Sequence, residues 1–215
     1  MSTFDRLFGT ANPGWPAHLG SVSTPIGDVA LRPLRRSDGQ LWRAARTRDQ
    51  SLIQRWDPSS VLTWQQRHTA GQWSIHRRML TRGARLGSAL PFAIIVDGHF
   101  CGQVTVGGIA RGPLHSGWIG YWVDSEFAGH GVATAATALA AAHAFGAGGL
   151  HRLEATVAPA NVASQKVLAH LGFRQEGLLQ RYLDIDGAWM DHQLWAMTAE
   201  EVPQGLDSLL QQWRR

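Results

Sequence analysis

Apolar residues recur along this chain with two different spacings, and the points where the spacing changes mark its elements. Val29-Ala-Leu31 reads as a short strand ending at Pro33. Leu41, Trp42, Ala45, Leu52, Ile53 and Trp56 then fall near a helical period and predict a helix over about 38–56. A second helix is predicted over about 64–83, beyond the break at Asp57-Pro58-Ser59-Ser60. Pro91–Val96 and Phe100–Val106 flank Asp97-Gly98, a two-residue hairpin signal. His115–Val123 follows as a strand, and an Ala-rich run to about Phe145 as a helix.

Beyond Gly148-Gly149, Leu153–Val157 alternates as a strand. Asn161 opens a short helix that stops at Gly172, an N-cap and a C-terminal glycine suited to those positions. Phe173–Ile185 and Ala188–Met197 flank a second hairpin signal, Asp186-Gly187, and Leu206–Trp213 reads as a terminal helix. The order β-α-α-β-β-β-α-β-α-β-β predicts one mixed α/β domain with hairpins at both ends. Residues 1–27 are Gly/Pro/Ser-rich and are read as an N-terminal extension, with 28–200 as the domain and 201–215 as a helical tail.

Composition narrows the classes. With 215 residues, 44% of them hydrophobic, the chain can bury a substantial single core. No apolar run approaches the ~20 residues of a membrane helix. Pro13, Gly14 and Pro16 interrupt the start, which lacks the basic-then-apolar order of a secretion signal, so the expected location is cytoplasmic, without membrane contact. Cys101 is the sole cysteine, which excludes an internal disulfide and a thiolate-rich metal site. His68 and His76 lie eight apart without an acidic partner nearby, and no metal is expected. The net charge of +4 comes from dispersed arginines, with Lys166 the only lysine. Such a field favours phosphorylated ligands or a ribosomal surface without specifying either, and no direct nucleic-acid role is expected. Trp56, Trp64 and Trp73 are expected to form one wall of an acceptor site.

Candidate chemistry sits at Glu126-Phe-Ala-Gly-His-Gly-Val-Ala-Thr134, between the strand at 115–123 and the Ala-rich helix. A glycine-framed turn there leaves the first helical N–H groups without intrahelical partners. With the positive end of the helix dipole, they form an anion site. Gly129 and Gly131 remove the Cβ atoms that would hold a phosphate away. There is no Gly-Lys-Ser/Thr and no Gly-x-Gly-x-x-Gly, which excludes a P-loop and a dinucleotide fingerprint. A second motif, Asn161-Val-Ala-Ser-Gln-Lys-Val-Leu-Ala-His-Leu-Gly-Phe173, places Ser164 on one helix face with Val167, Leu168 and Leu171. An inward hydroxyl needs a partner, supplied either by the helix cap or by a ligand.

Together these two motifs resemble the GCN5-related N-acetyltransferase (GNAT) superfamily, and within it the RimJ/RimL-type branch that acetylates N-termini of ribosomal proteins. The resemblance covers roughly 28–200 and implies a mostly antiparallel sheet with helices on both faces. It implies acetyl-CoA as co-substrate, its pyrophosphate held by Gly129, His130, Gly131, Val132, Ala133 and Thr134. Tyr121, Trp122 and Val123 would flank the pantetheine arm, and Asn161 and Ser164 would hold the coenzyme. Glu126 stands where the family carries Arg or Gln and is expected to point away from the phosphates.

The implied reaction is direct attack of a primary amine on the thioester in a ternary complex. Ser164 is the expected proton donor to the leaving sulfur. Glu154, on the strand after the Ala-rich helix, is the expected base, against the alternative that it pairs with Arg152 or Arg181; Asp184 and Asp191 are weaker alternatives. An α-amine, titrating near ~7.7–8.0, asks less of a base than a lysine near ~10.4. The expected acceptor is therefore a protein N-terminus, with a ribosomal protein as partner. A small amine such as an aminoglycoside or polyamine, and a non-catalytic coenzyme-A-binding module, remain alternatives. A homodimer is compatible with all three.

Overall fold

The structure is a computed structural model of the chain and describes residues 12–214. Eight strands form one sheet: β1 (Leu19–Thr24), β2 (Gly27–Pro33), β3 (Leu90–Val96), β4 (His99–Ala110), β5 (Ser116–Val123), β6 (Arg152–Val157), β7 (Arg174–Ile185) and β8 (Ala188–Thr198). Their spatial order is β1-β2-β3-β4-β5-β6-β8-β7. Every neighbouring pair is antiparallel except β5 and β6, which run parallel. Among the described residues the α-helices are α1 (Gly39–Arg48), α2 (Gln50–Ile53), α3 (Trp64–Arg67), α4 (Ala70–Arg85), α5 (Val132–Phe145), α6 (Val162–His170) and α7 (Leu206–Trp213).

Both faces of the sheet are covered, and β3 shows why its run is apolar throughout. Phe92 and Ile94 join the core shared with α5, α6 and α7, while Ala93 and Ile95 join Trp42 of α1 and Trp73 of α4 on the other face. A strand buried on both sides has no polar positions to alternate with. α5 is similar: Ala135, Ala136, Ala138, Ala140, Ala141 and Ala144 have no exposed surface. Alanines let that helix lie close against the sheet, so its N-terminus is fixed beside the end of β5. Both Asp-Gly hairpins form with positive φ at each turn residue, Asp97 and Gly98 in one, Asp186 and Gly187 in the other.

Four differences from the expected organisation stand out. The helix predicted over 38–56 breaks at Asp49, which leaves helical geometry at φ −91 and ψ 18. Its carboxylate accepts instead from Ser125 N at 2.9 Å and Ser125 Oγ at 2.7 Å. The helix predicted over 64–83 breaks at His68 and restarts where Thr69 caps Gln72 N. Strand β1 lies inside the stretch read as an extension. Of its six residues only Val22 is buried, so an edge strand of Gly and Ser positions carried almost no hydrophobic signal. Within the stretch read as a tail, Leu209 of α7 is fully buried in the main core.

β5 and β6 pair only at Ser116↔Arg152, Gly117↔Leu153 and Trp118↔Glu154. Beyond those pairs the strands separate. The edge of β5 from about 119 to 123 therefore faces open space, with the start of α5 at its end and α6 across the gap.

Candidate active site

The turn from β5 into α5 is built from the outside in. Asp124 accepts from Glu126 N at 2.9 Å and starts a single 3-10 turn at Ser125–Phe127. Arg48, from the end of α1, bonds Asp49, Asp124 and Glu126 together. The Glu126 carboxylate lies 2.8 Å from Arg48. Gly129 and Gly131 then adopt left-handed φ of 79 and 81. The first bond of the helix ladder is Ala135 N to Gly131 O, and Gly131 offers no capping side chain. The N–H groups of 129–134 donate to no acceptor among the described residues. A Cβ added at Gly129 would meet nothing within 4 Å, so the space above those amides is open.

These amides border a cavity of about 1040 Å³. Tyr121, Trp122, Val123, Gly129, His130, Gly131, Val132, Ala133, Thr134, Asn161 and Ser164 all line it, so it gathers these sequence-selected residues. Asn161 caps α6 through its Oδ1, which accepts from Ser164 N at 3.1 Å. The Ser164 hydroxyl lies 3.0 Å from the Tyr121 hydroxyl, a pairing between β5 and α6 that the sequence did not announce. Burial raises the Tyr121 phenol above its ordinary value, the Ser164 bond opposing, so it stays protonated and able to donate. The ring of Trp213 closes one side, and a Cβ added at Gly131 would lie 2.6 Å from it.

The other end of the cavity is a second cluster that sequence reasoning missed. Arg46 is buried between the rings of Trp64 and Trp122, at 4.9 Å and 5.4 Å. It donates to Asp57 at 2.7 Å and to His68 Nε2 at 3.1 Å. Burial lowers the Arg46 guanidinium, an effect Asp57 opposes. Asp57 also pairs with Arg67. His76 bonds Gln103 at 3.0 Å, and burial lowers its imidazole below the ordinary value. Packing of α1, α3 and α4 against β4 and β5 joins these residues, and no spacing in the chain reports it.

Several expected residues lie elsewhere. Glu154 does not line the cavity: its carboxylate is 2.7 Å from Arg152, which also pairs with Glu176. The residue alternates outward on β6 because Leu153, Ala155 and Val157 take the buried positions. Asp184 accepts from Ser59 Oγ at 2.5 Å, and Asp191 accepts from Arg181 N at 2.8 Å. Of the three tryptophans read as a wall, Trp56 lines the cavity, whereas Trp64 and Trp73 are buried in the packing beneath it. Burial pushes the Cys101 thiol up to about 12, the chemistry of a structural side chain. Among the described residues no group of three or more His, Cys, Asp or Glu could hold a metal ion, and no helix is long and apolar enough to cross a membrane.

Comparison with known proteins gives a consistent result. The family described as "Acetyltransferase (GNAT) domain" matches residues 28–174. A probable N-acetyltransferase of Bacillus subtilis (strain 168), YjcK, is 40% identical over 101 residues, covering 47% of this chain and 56% of that protein. The ribosomal protein uS5 alanine N-acetyltransferase of Escherichia coli (strain K12) is 28% identical over 196 residues, 89% of this chain and 98% of that one. Among solved structures, Mycobacterium smegmatis RimJ in complex with CoA-disulfide superposes with a TM-score of 0.90 at 48% identity, covering 93% of this chain and 96% of that chain.

Proposed function

Because this chain belongs to the GNAT acetyltransferase family, we propose that it transfers acetyl from acetyl-CoA to the N-terminal α-amine of a ribosomal protein. The observation that carries this reading is the row of unpartnered amides at 129–134 opening onto a cavity that continues to the Arg46 cluster. Those amides, with the positive end of α5, suit the pyrophosphate of the coenzyme. The edge of β5 left free by the splay from β6 suits the amides of an extended pantetheine arm. When bound, acetyl-CoA supplies the activated acyl group and a sulfur leaving group. The Tyr121–Ser164 hydroxyl pair then lies where a proton can be given to that sulfur. Glu154 takes no part in this reading, since Arg152 holds it outside the cavity.

Charge favours a peptide acceptor over a polycation. The carboxylates lining the cavity belong to Asp49 and Asp57, and both are bonded to arginines. Arg46 adds a cation among apolar walls of Leu52, Ile53, Trp56 and Leu80. A drug or polyamine with several ammonium groups finds no free anion there, whereas a chain end with one amine and flanking carbonyls meets donors and apolar surface. The two curated and solved relatives named for ribosomal substrates and RimJ support the same choice.

The test is to incubate the protein with acetyl-CoA and N-terminal peptides of ribosomal proteins, beside spermidine and an aminoglycoside, following thiol release and product mass. Acetylated peptide α-amine is the expected product. Turnover confined to the small amines overturns the acceptor. Coenzyme binding by calorimetry without turnover on any amine overturns catalysis.

A further inference from the structure

Behind Tyr121 and Ser164 lies a second, smaller cavity of about 200 Å³, in the gap where β5 and β6 separate. It shares Trp56, Gly120, Tyr121, Asn161 and Ser164 with the large cavity, so the hydroxyl pair stands at the junction of the two. Its far wall carries His192 of β8, which is 4% exposed. Neither the sequence motifs nor the reaction described above uses this residue.

Its Nδ1 lies 3.1 Å from the Met190 carbonyl oxygen, which can only accept, so Nδ1 carries a proton and, in the neutral ring, Nε2 is the nitrogen that presents a lone pair. Nε2 has no hydrogen-bond partner among the described residues. It is not sealed in either, because the buried side-chain atoms without partners belong to Asn12, Arg77 and Gln212. The open space available to it is the cavity it lines. Several other titratable groups near the large cavity are already bonded. Asp49 and Asp57 are held by arginines, both nitrogens of His68 are bonded, and His76 donates to Gln103 in the Arg46 cluster.

We propose that His192 is the catalytic base, its Nε2 receiving the proton of the acceptor amine at the junction of the two cavities. The proposal rests on the acetyltransferase reading above. As the amine nitrogen bonds the acyl carbon, Nε2 takes one N–H proton. The C–S bond breaks with its electron pair on sulfur, and the Tyr121–Ser164 hydroxyl pair gives that sulfur a proton. Nε2 then returns its proton to the hydroxyl pair through water, which restores every group to its starting state. No carboxylate or guanidinium lines the smaller cavity; the titratable groups facing His192 are the phenols of Tyr121 and of Tyr182, whose ring centroid lies 6.1 Å from its own.

The experiment compares wild type with His192→Ala and His192→Gln on an acetylatable N-terminal peptide. Coenzyme affinity is read by calorimetry and kcat across pH. A general base contributes roughly 10²–10⁴-fold, so kcat should fall by that factor in both variants while coenzyme affinity holds. The acid limb of the kcat profile should lose one ionisation, and free imidazole should restore part of the rate in His192→Ala. A structural histidine would move neither the ionisation count nor the imidazole response. Should His192→Ala not fold, His192→Gln carries the pH readout alone. An unchanged profile in a folded variant overturns the proposal whatever the rate. Failure of wild type itself to acetylate any peptide overturns the functional reading instead, which separates the two outcomes.

Discussion

His68 is held in the neutral form by its surroundings on every side. Its Nδ1 donates to Trp64 O at 2.7 Å, and its Nε2 accepts from Arg46 at 3.1 Å. Burial is the largest cause of an imidazole lowered to about 4, with Arg46 and Arg67 lowering it further against the Trp64 bond. Protonation would remove the acceptor Arg46 uses and set two cations against each other. Between about 4 and the ordinary ~6.5, the unfolded chain therefore binds the proton and the folded chain does not. Stability from this site is complete above ~6.5 and is lost as pH falls toward about 4, a difference on the order of 3 kcal/mol. Urea midpoints should fall across that window, and His68→Gln should flatten part of the decline, with His76, whose imidazole burial also lowers, contributing in the same direction. A midpoint constant from 6.5 to 4 in wild type would contradict the assignment. The sequence held His68 but not this state, because Arg46 and Asp57 reach it from more than ten residues away. The motif residues were legible because their chemistry is local: a glycine turn and an Asn cap act on the next few amides.

At the scale of elements, the break at Asp57-Pro58-Ser59-Ser60 and the hairpin at Asp186-Gly187 were both readable as turns, and their meeting was not. Ser59 N donates to Asp184 O at 2.9 Å, Ser59 Oγ donates to Asp184 at 2.5 Å, and Gly187 N donates to Ser59 Oγ at 2.6 Å. Gln54 reaches Asp186 at 2.8 Å from the turn after α2, and Pro58 bridges Ile185. The tip of the β7–β8 hairpin is thus fastened to the segment bearing Trp56 and Asp57, which line the end of the cavity remote from the α5 amides. Periodicity reports which residues face a core, and these are turn residues whose bonds depend on two chain segments 125 positions apart. Ser59→Ala removes both hydroxyl bonds and should loosen the tip at about 1–2 kcal/mol. The expected signature is a higher KM for the peptide acceptor with coenzyme affinity unchanged. Equal KM in the two proteins would show that the fastening does not shape the acceptor end. The helix breaks at Asp49 and His68 belong to the same class, since each residue trades its helical geometry for a bond to a distant or capping partner.

Across the whole molecule, the sheet is two blocks joined at a narrow seam. Strands β1 to β5 form one block and β6, β8 and β7 the other, with three residue pairs of β5 and β6 between them. The cavity spans this seam, taking the α5 amides and the β5 edge from one block, Asn161 and Ser164 of α6 from the other, and Trp213 of α7 over the glycine turn. A coenzyme seated there adds contacts where the protein has fewest of its own. Binding to the folded state alone at 100 times Kd stabilises by about 2.7 kcal/mol. For a chain of this size, at about 2–4 °C per kcal/mol, Tm should rise by roughly 5–10 °C. The location of the gain is the sharper prediction, because a ligand that bridges the seam must slow opening of both sides. Amide exchange should slow at 155–157 of β6 and in the first turn of α6, as well as at 129–134, with little change in β1 to β3. Protection confined to 129–134 would mean that the ligand grips only the phosphate turn, and the block carrying Ser164 and His192 would then remain uncoupled from the bound coenzyme.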